Sequence, residues 1–182
     1  DDDFPQKLFG AITYTGNGGT NAITGLGFKP DWVWAKKRNG TTDHQLYDST
    51  RGTTKVIYSN NNSEELTETG GVTAFGTDGF TVGASGINQG SSTNVAWSWR
   101  ANGGTTSTNT QGDINSTVQV DPSGGFSVVK YTGTLSSSGE QTIGHGLSRA
   151  PSMFITKSLE KTGNWWVFSD GQTSWNYGMN LQ

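Results

Sequence analysis

The chain has no cysteine, so it offers neither a disulfide framework nor a thiolate metal site. Compartment stays open on that ground, because oxidising surroundings permit disulfides without requiring them. Charge is scarce: Lys, Arg, Asp and Glu make up 15% of the 182 residues, with a formal net charge of -3. A surface for nucleic acid calls for clustered Lys and Arg, and the only basic cluster, Lys36-Lys37-Arg38, sits at the end of an expected strand. Nucleic acid is therefore not an expected partner. No apolar run approaches the ~20 residues needed to cross a bilayer as a helix, and no signal-peptide pattern opens the chain. Helical periodicity is nearly absent. The sole candidate is Asn62 to Glu68, where Asn62 caps and Glu65 closes a capping box before Gly70-Gly71 ends it.

What the chain does have is glycine, 27 of 182 residues, and aromatic side chains at 11%, seven of them Trp. Disordered chains are poor in aromatics and rich in charge, so this one is expected to fold. Short alternating segments separated by Gly-rich turns predict strands: Lys7 to Thr15, Asp31 to Lys37, His44 to Asp48, Thr53 to Ser59, Phe80 to Val82, Asn94 to Arg100, Ser116 to Val120 and Phe126 to Tyr131. The expected fold is all-β, an antiparallel β-sandwich of jelly-roll, concanavalin-like type, with a barrel as the alternative.

The strongest internal signal is a repeat. Phe9 matches Phe126, and Tyr14-Thr15-Gly16 matches Tyr131-Thr132-Gly133, an offset of 117. Gly27 matches Gly146. Pro30 then matches Pro151, Lys36 matches Lys157 and Tyr47 matches Phe168, an offset of 121. The first copy continues through Lys55 to Asn60, Ala74 to Gly83 and Asn94 to Ala101, whereas the second reaches only Tyr177 to Gln182. The expected organisation is a first unit over 1–105, a Gly/Thr/Asn-rich linker over 106–117 and a truncated second unit over 118–182. On this reading the chain is a fragment of a longer polypeptide.

Trp32, Trp34, Trp97 and Trp99 are assigned to packing. Trp32 and Trp34 align with Met153 and Ile155, which fill a core but form no stacking platform. Trp166 aligns with Gln45, and Trp175 falls level with Thr53-Thr54, so these two are the candidate surface binding residues. The chemical inventory is otherwise bare. Glycoside hydrolysis needs two carboxyls ~5–9.5 Å apart, and Glu64, Glu65 and Glu68 lie on a polar segment without an apolar wall to raise a carboxyl pKa. His44 and His145 lack a third partner for a metal. No Gly-x-Ser-x-Gly elbow is present, and Gly16-Asn17-Gly18-Gly19 lacks the Lys-Ser/Thr of a phosphate loop. Asp78 and Asp113 lie in loops without calcium-ligand spacing. No catalytic residue, metal site or cofactor is expected.

The order Tyr14 to Gly18, Ile23 to Trp34, Asp48 to Gly52, Phe75 to Gly83 and Val95 to Trp99 resembles one group of phage proteins. These are the concanavalin-like or laminin-G-like sandwich repeats in structural proteins of marine phages, of the cyanophage and pelagiphage type. Ile143 to Pro151 is similar to the companion unit of that group. The resemblance implies a non-enzymatic virion component, a tail fibre or surface appendage involved in host attachment and located on the particle. The resemblance names no receptor. Open sheet edges and exposed aromatics make a homo-oligomer the expected state, with a trimer favoured and other virion proteins as partners, and a host cell-surface polysaccharide is a candidate partner. The alternatives are a lectin-like carbohydrate-binding module, a capsid decoration protein and a polysaccharide depolymerase.

Overall fold

The computed structural model describes residues 7–134, 139–172, 174 and 178–181. Fifteen strands and no α-helix occur among them, and every ladder between strands is antiparallel. The chain is all-β.

The first unit is a sandwich. Its larger sheet has the order β1-β9-β3-β4-β5-β6, from Phe9–Thr15, Thr93–Trp99, Trp32–Lys37, Gln45–Asp48, Lys55–Tyr58 and Leu66–Thr67. The smaller has the order β2-β8-β7, from Asn21–Thr24, Gly79–Val82 and Val72–Gly76. Between them lies one apolar core. Val33, Ala35, Tyr47, Val56 and Ala96 from the large sheet meet Ile23, Val72, Phe80 and Val82 from the small one. Alternation along β3 sends Val33 and Ala35 inward and Trp32 and Trp34 outward. The indoles are half-buried and do not reach the sandwich core. Small residues on β3 and β9 face the bulky Phe28, Tyr47 and Phe80, which already fill that space.

The four packing tryptophans instead serve a second layer. Trp32 and Trp34 pack with Leu46, Ile57, Leu159 and Trp165. Trp97 lies edge-on to Trp34, with ring centroids 6.3 Å apart. Trp99 touches Phe9 at 4.8 Å and stacks on Phe126 at 6.2 Å. They join the two halves of the chain.

The second half contains the sheets β10-β11-β12, from Ser107–Asn109, Ser116–Asp121 and Phe126–Tyr131, and β13-β14-β15, from Met153–Thr156, Trp166–Ser169 and Met179–Asn180. The stretch read as a linker thus holds β10, whose polar residues pair with β11 through backbone alone. The expected helix at Asn62 to Glu68 is also absent. Its backbone is claimed elsewhere: Glu65 N–H donates to the Leu159 carbonyl, Glu68 N–H to the Thr54 carbonyl, and β6 pairs with β5. A short segment with two external acceptors gains more from them than from a helix of under two turns.

The β13-β14 hairpin reproduces β3-β4 residue by residue. Trp32↔Asp48 and Ala35↔Gln45 become Met153↔Ser169 and Thr156↔Trp166, all at the offset of 121. Ser49 N–H donates to the Asp31 carbonyl at 2.9 Å, and Asp170 N–H donates to the Ser152 carbonyl at the same length. The Lys36 and Lys157 ammonium groups each bond the next residue's carbonyl, at 2.7 and 2.8 Å. Gly27 and Gly146 share a left-handed φ, 75° and 74°, which glycine adopts without steric cost. Below β15 the second copy has no described counterpart of β7, β8 or β9.

Candidate functional site

The site that stands out is the inner face of the β13-β14-β15 sheet. In the first unit that face carries Val33, Gln45, Tyr47 and Val56, all buried under the smaller sheet. The matched positions in the second unit are Phe154, Trp166, Phe168 and Gly178. Phe154 is 43% exposed and Trp166 44% exposed, because no described sheet covers them. Phe154 and Phe168 stack, with ring centroids 4.7 Å apart and planes 17° from parallel. A Cβ at Gly178 would come within 2.8 Å of the Trp166 ring and 3.0 Å of the Phe168 ring, so the missing side chain leaves room for both. The result is a partly exposed cluster of aromatic rings where the first unit has a core.

Trp166 was the legible member of this surface. Trp175 lies outside the described residues. Phe154 and Phe168 were missed as site residues, although the alignment that pairs Tyr47 with Phe168 also sets Phe154 against the inward-facing Val33. The neighbouring Trp165, level with His44, is 2% exposed and donates Nε1–H to the Tyr58 carbonyl at 2.7 Å. Its indole fills the layer between the halves.

A second constellation is polar and closed. Asp31 is fully buried between the halves. Its Oδ2 accepts the N–H groups of Ala101, Asn102 and Gly103 at 2.8, 3.0 and 2.8 Å. Its Oδ1 accepts from Ser49 Oγ at 2.8 Å and Gln119 Nε2 at 2.6 Å. Gln119 Oε1 in turn accepts from the Thr50 hydroxyl, and the single Ser49 proton serves either Asp31 Oδ1 or Gln119 Oε1. Oriented donors replace the water a buried carboxylate loses. Every donor is protein, so the group acts as a junction between β3, the end of β9 and β11.

Five further acids and both histidines also hold local structure together. Arg51 holds Asp48 and Glu65 together beneath the indole layer. Glu68 accepts from the Tyr47 hydroxyl at 3.2 Å, and burial pushes that phenol's pKa up. Asp78 accepts the N–H groups of Gly25 and Gly27, and Asp113 the N–H and the hydroxyl of Thr142. Those oxygens face N–H and O–H donors. Among the described residues no group of three or more His, Asp or Glu could hold a metal ion. His44 Nδ1 accepts the Trp34 indole N–H at 2.9 Å, and its pKa is lowered by burial and by the Lys36 charge, against Asp43. His145 Nδ1 accepts the Leu147 N–H.

The chain belongs to a family described as a domain of unknown function (DUF7483), whose model matches residues 4–182 and so spans both halves. No curated protein and no solved structure matches it.

Proposed function

We propose that the chain is a non-enzymatic structural protein of a phage virion, of tail-fibre or surface-appendage type, that works by assembly with other copies and other virion proteins. The observation that carries this reading is the aromatic inner face of Phe154, Trp166 and Phe168, whose counterparts in the first unit are buried. Large apolar side chains gathered in one exposed patch mark a contact surface. Assembly covers such a surface and multiplies weak contacts, raising avidity ~10²–10⁴-fold where several sites engage together. The resemblance of Tyr14 to Trp99 to marine-phage sandwich repeats supports the virion setting, and threefold packing is the favoured arrangement.

The test is light scattering on the full chain, paired with antibody labelling of purified particles. Oligomers that dissociate on Trp166→Lys, with labelled fibres or appendages, are the expected result. A monomer at every concentration, or particles without label, overturns the reading.

One observation favours a second reading. An indole beside a stacked pair of phenyl rings is a surface on which a pyranose ring can rest, as a lectin-like module for host polysaccharide requires. Under that reading Trp166→Ala abolishes polysaccharide binding while the melting profile stays unchanged.

A further inference from the structure

We infer that the outer edge of β13 is a docking edge for an extended polypeptide segment with the side-chain pattern of β9, Thr93–Trp99, bound antiparallel. This rests on the reading of the second unit as an assembly surface and names what that surface takes.

The inference comes from the hairpin that occurs twice. In the first unit β3 lies between β4 and β9. Backbone groups alternate sides along a strand. Ser49 N–H donates to the Asp31 carbonyl, so the odd residues of β3 bond β4; Arg38 N–H donates to the Thr93 carbonyl at 2.7 Å, so the even ones, Trp32 and Trp34 among them, bond β9. In the second unit the bond from Asp170 N–H to the Ser152 carbonyl turns Ser152 toward β14, and with it Phe154 and Thr156. Met153 and Ile155, the counterparts of Trp32 and Trp34, therefore present their N–H and C=O groups outward. No described strand takes them. Their side chains are 58% and 41% exposed.

An open, apolar strand edge is a template for another strand, and proteins ordinarily blunt it with charge, proline or a bulge. Met153–Thr156 carries none of these. The first unit also specifies the occupant. There Trp99 lies opposite Trp32 and Trp97 opposite Trp34, while Ser98 and Ala96 lie opposite Val33 and Ala35. Transferred to β13, a β9-type strand sets indoles beside Met153 and Ile155 on one face. On the other face it sets small residues beside Phe154 and Thr156, where large ones would collide with the aromatic surface. Strand addition of this kind draws affinity from main-chain hydrogen bonds and specificity from alternate side chains.

The test uses the full chain and synthetic peptides with the sequence of Thr93 to Ala101. In β9 the residues bonded to β3 are Thr93, Val95, Trp97 and Trp99, since Thr93 accepts from Arg38. Methylating the peptide nitrogens at Val95 and Trp97 should weaken binding by about tenfold or more, while methylating those at Ala96 and Ser98 should leave it unchanged. Hydrogen exchange should slow at the amides of Met153 and Ile155, and Ile155→Pro should remove binding without loss of the fold, because that N–H points outward. Equal binding by the two methylated peptides overturns the inference, as does protection confined to the first unit. Protection that rises with chain concentration in the absence of peptide also overturns it, since the occupant is then a second copy. Peptide binding by a chain that stays monomeric leaves the edge in place and refutes only the assembly reading.

Discussion

Replacing Asp31 with alanine tests whether a buried carboxylate fastens the two halves of this chain together. The variant strands the amides of Ala101, Asn102 and Gly103 together with the Gln119 side-chain amide, all of which now donate to one carboxylate. A buried donor left unsatisfied costs ~1–3 kcal/mol. Water entering the vacated space re-satisfies some of them, because the site is polar. The net loss is about 4 kcal/mol, in the range for removing one partner from a buried charged network. For a chain of this length each kcal/mol lowers the melting temperature by ~2–4 °C, so the expected fall is on the order of 8–16 °C. Urea and thermal melts followed by tryptophan fluorescence read it directly. The double-mutant cycle is sharper. Gln119→Glu alone places a second carboxylate against Asp31 Oδ1, where Gln119 Nε2 now sits at 2.6 Å, and should destabilise. Asp31→Asn alone should cost less than Asp31→Ala, because its amide oxygen can still face the three backbone donors. Combined, the two restore a donor-acceptor pair between positions 31 and 119, and the double variant should be more stable than Gln119→Glu. A loss under about 1 kcal/mol for Asp31→Ala, or simple additivity in the cycle, refutes the reasoning.

Two further perturbations probe the layer between the halves. Trp165→Ala removes a buried indole and its bond to the Tyr58 carbonyl; the expected cost is ~3–5 kcal/mol by denaturant melt, and a loss within 0.5 kcal/mol, as for an exposed site, would count against the layer. His44 has a folded-state pKa below its ordinary value, so its contribution is present above about pH 6.5 and is lost as pH falls through the folded-state pKa. The melting temperature should therefore drop between pH 7.5 and 5, and His44→Gln should flatten that dependence by less than one proton of linkage.

Strand positions were largely legible because alternation survives in the local sequence. Which face of a strand meets the core was not. The alternation along β3 separates Trp32 and Trp34 from Val33 and Ala35, and size alone favours the indoles for the interior. The opposite face wins because Phe80 and Tyr47, remote in sequence, occupy the space between the sheets. The capping-box pattern at Asn62 to Glu68 is real chemistry that lost to nearer acceptors at Thr54 and Leu159. β10 left no signal, since three polar residues held only by backbone have no periodicity to read. Asp31 gave none either. Gln119, one of its donors, lies 88 residues away, and no local pattern marks such a meeting.

The repeated hairpin shows how one backbone plan serves two environments. The middle strand keeps its outward position buried in both copies, Leu46 in the first and Val167 in the second. The inward positions diverge. Gln45, whose amide oxygen lies 2.9 Å from the Tyr47 hydroxyl inside a closed core, is matched by Trp166, and Tyr47 itself by Phe168. The Tyr47 hydroxyl has no counterpart in Phe168, and the Gln45 amide gives way to an indole with a single N–H, on a surface where Trp166 is 44% exposed. A face selected only for solvent would move the other way, toward polar residues. Fewer hydrogen-bonding groups where no described sheet covers the face make physical sense if another surface supplies the cover, because each polar atom buried without a partner would weaken that contact. Sugar hydroxyls can meet single backbone groups, but a strand matches the alternating N–H and C=O groups that Met153 and Ile155 present along the edge. A β9-type strand satisfies the edge, and the aromatic face beside it takes a separate cover, the part the smaller sheet plays in the first unit.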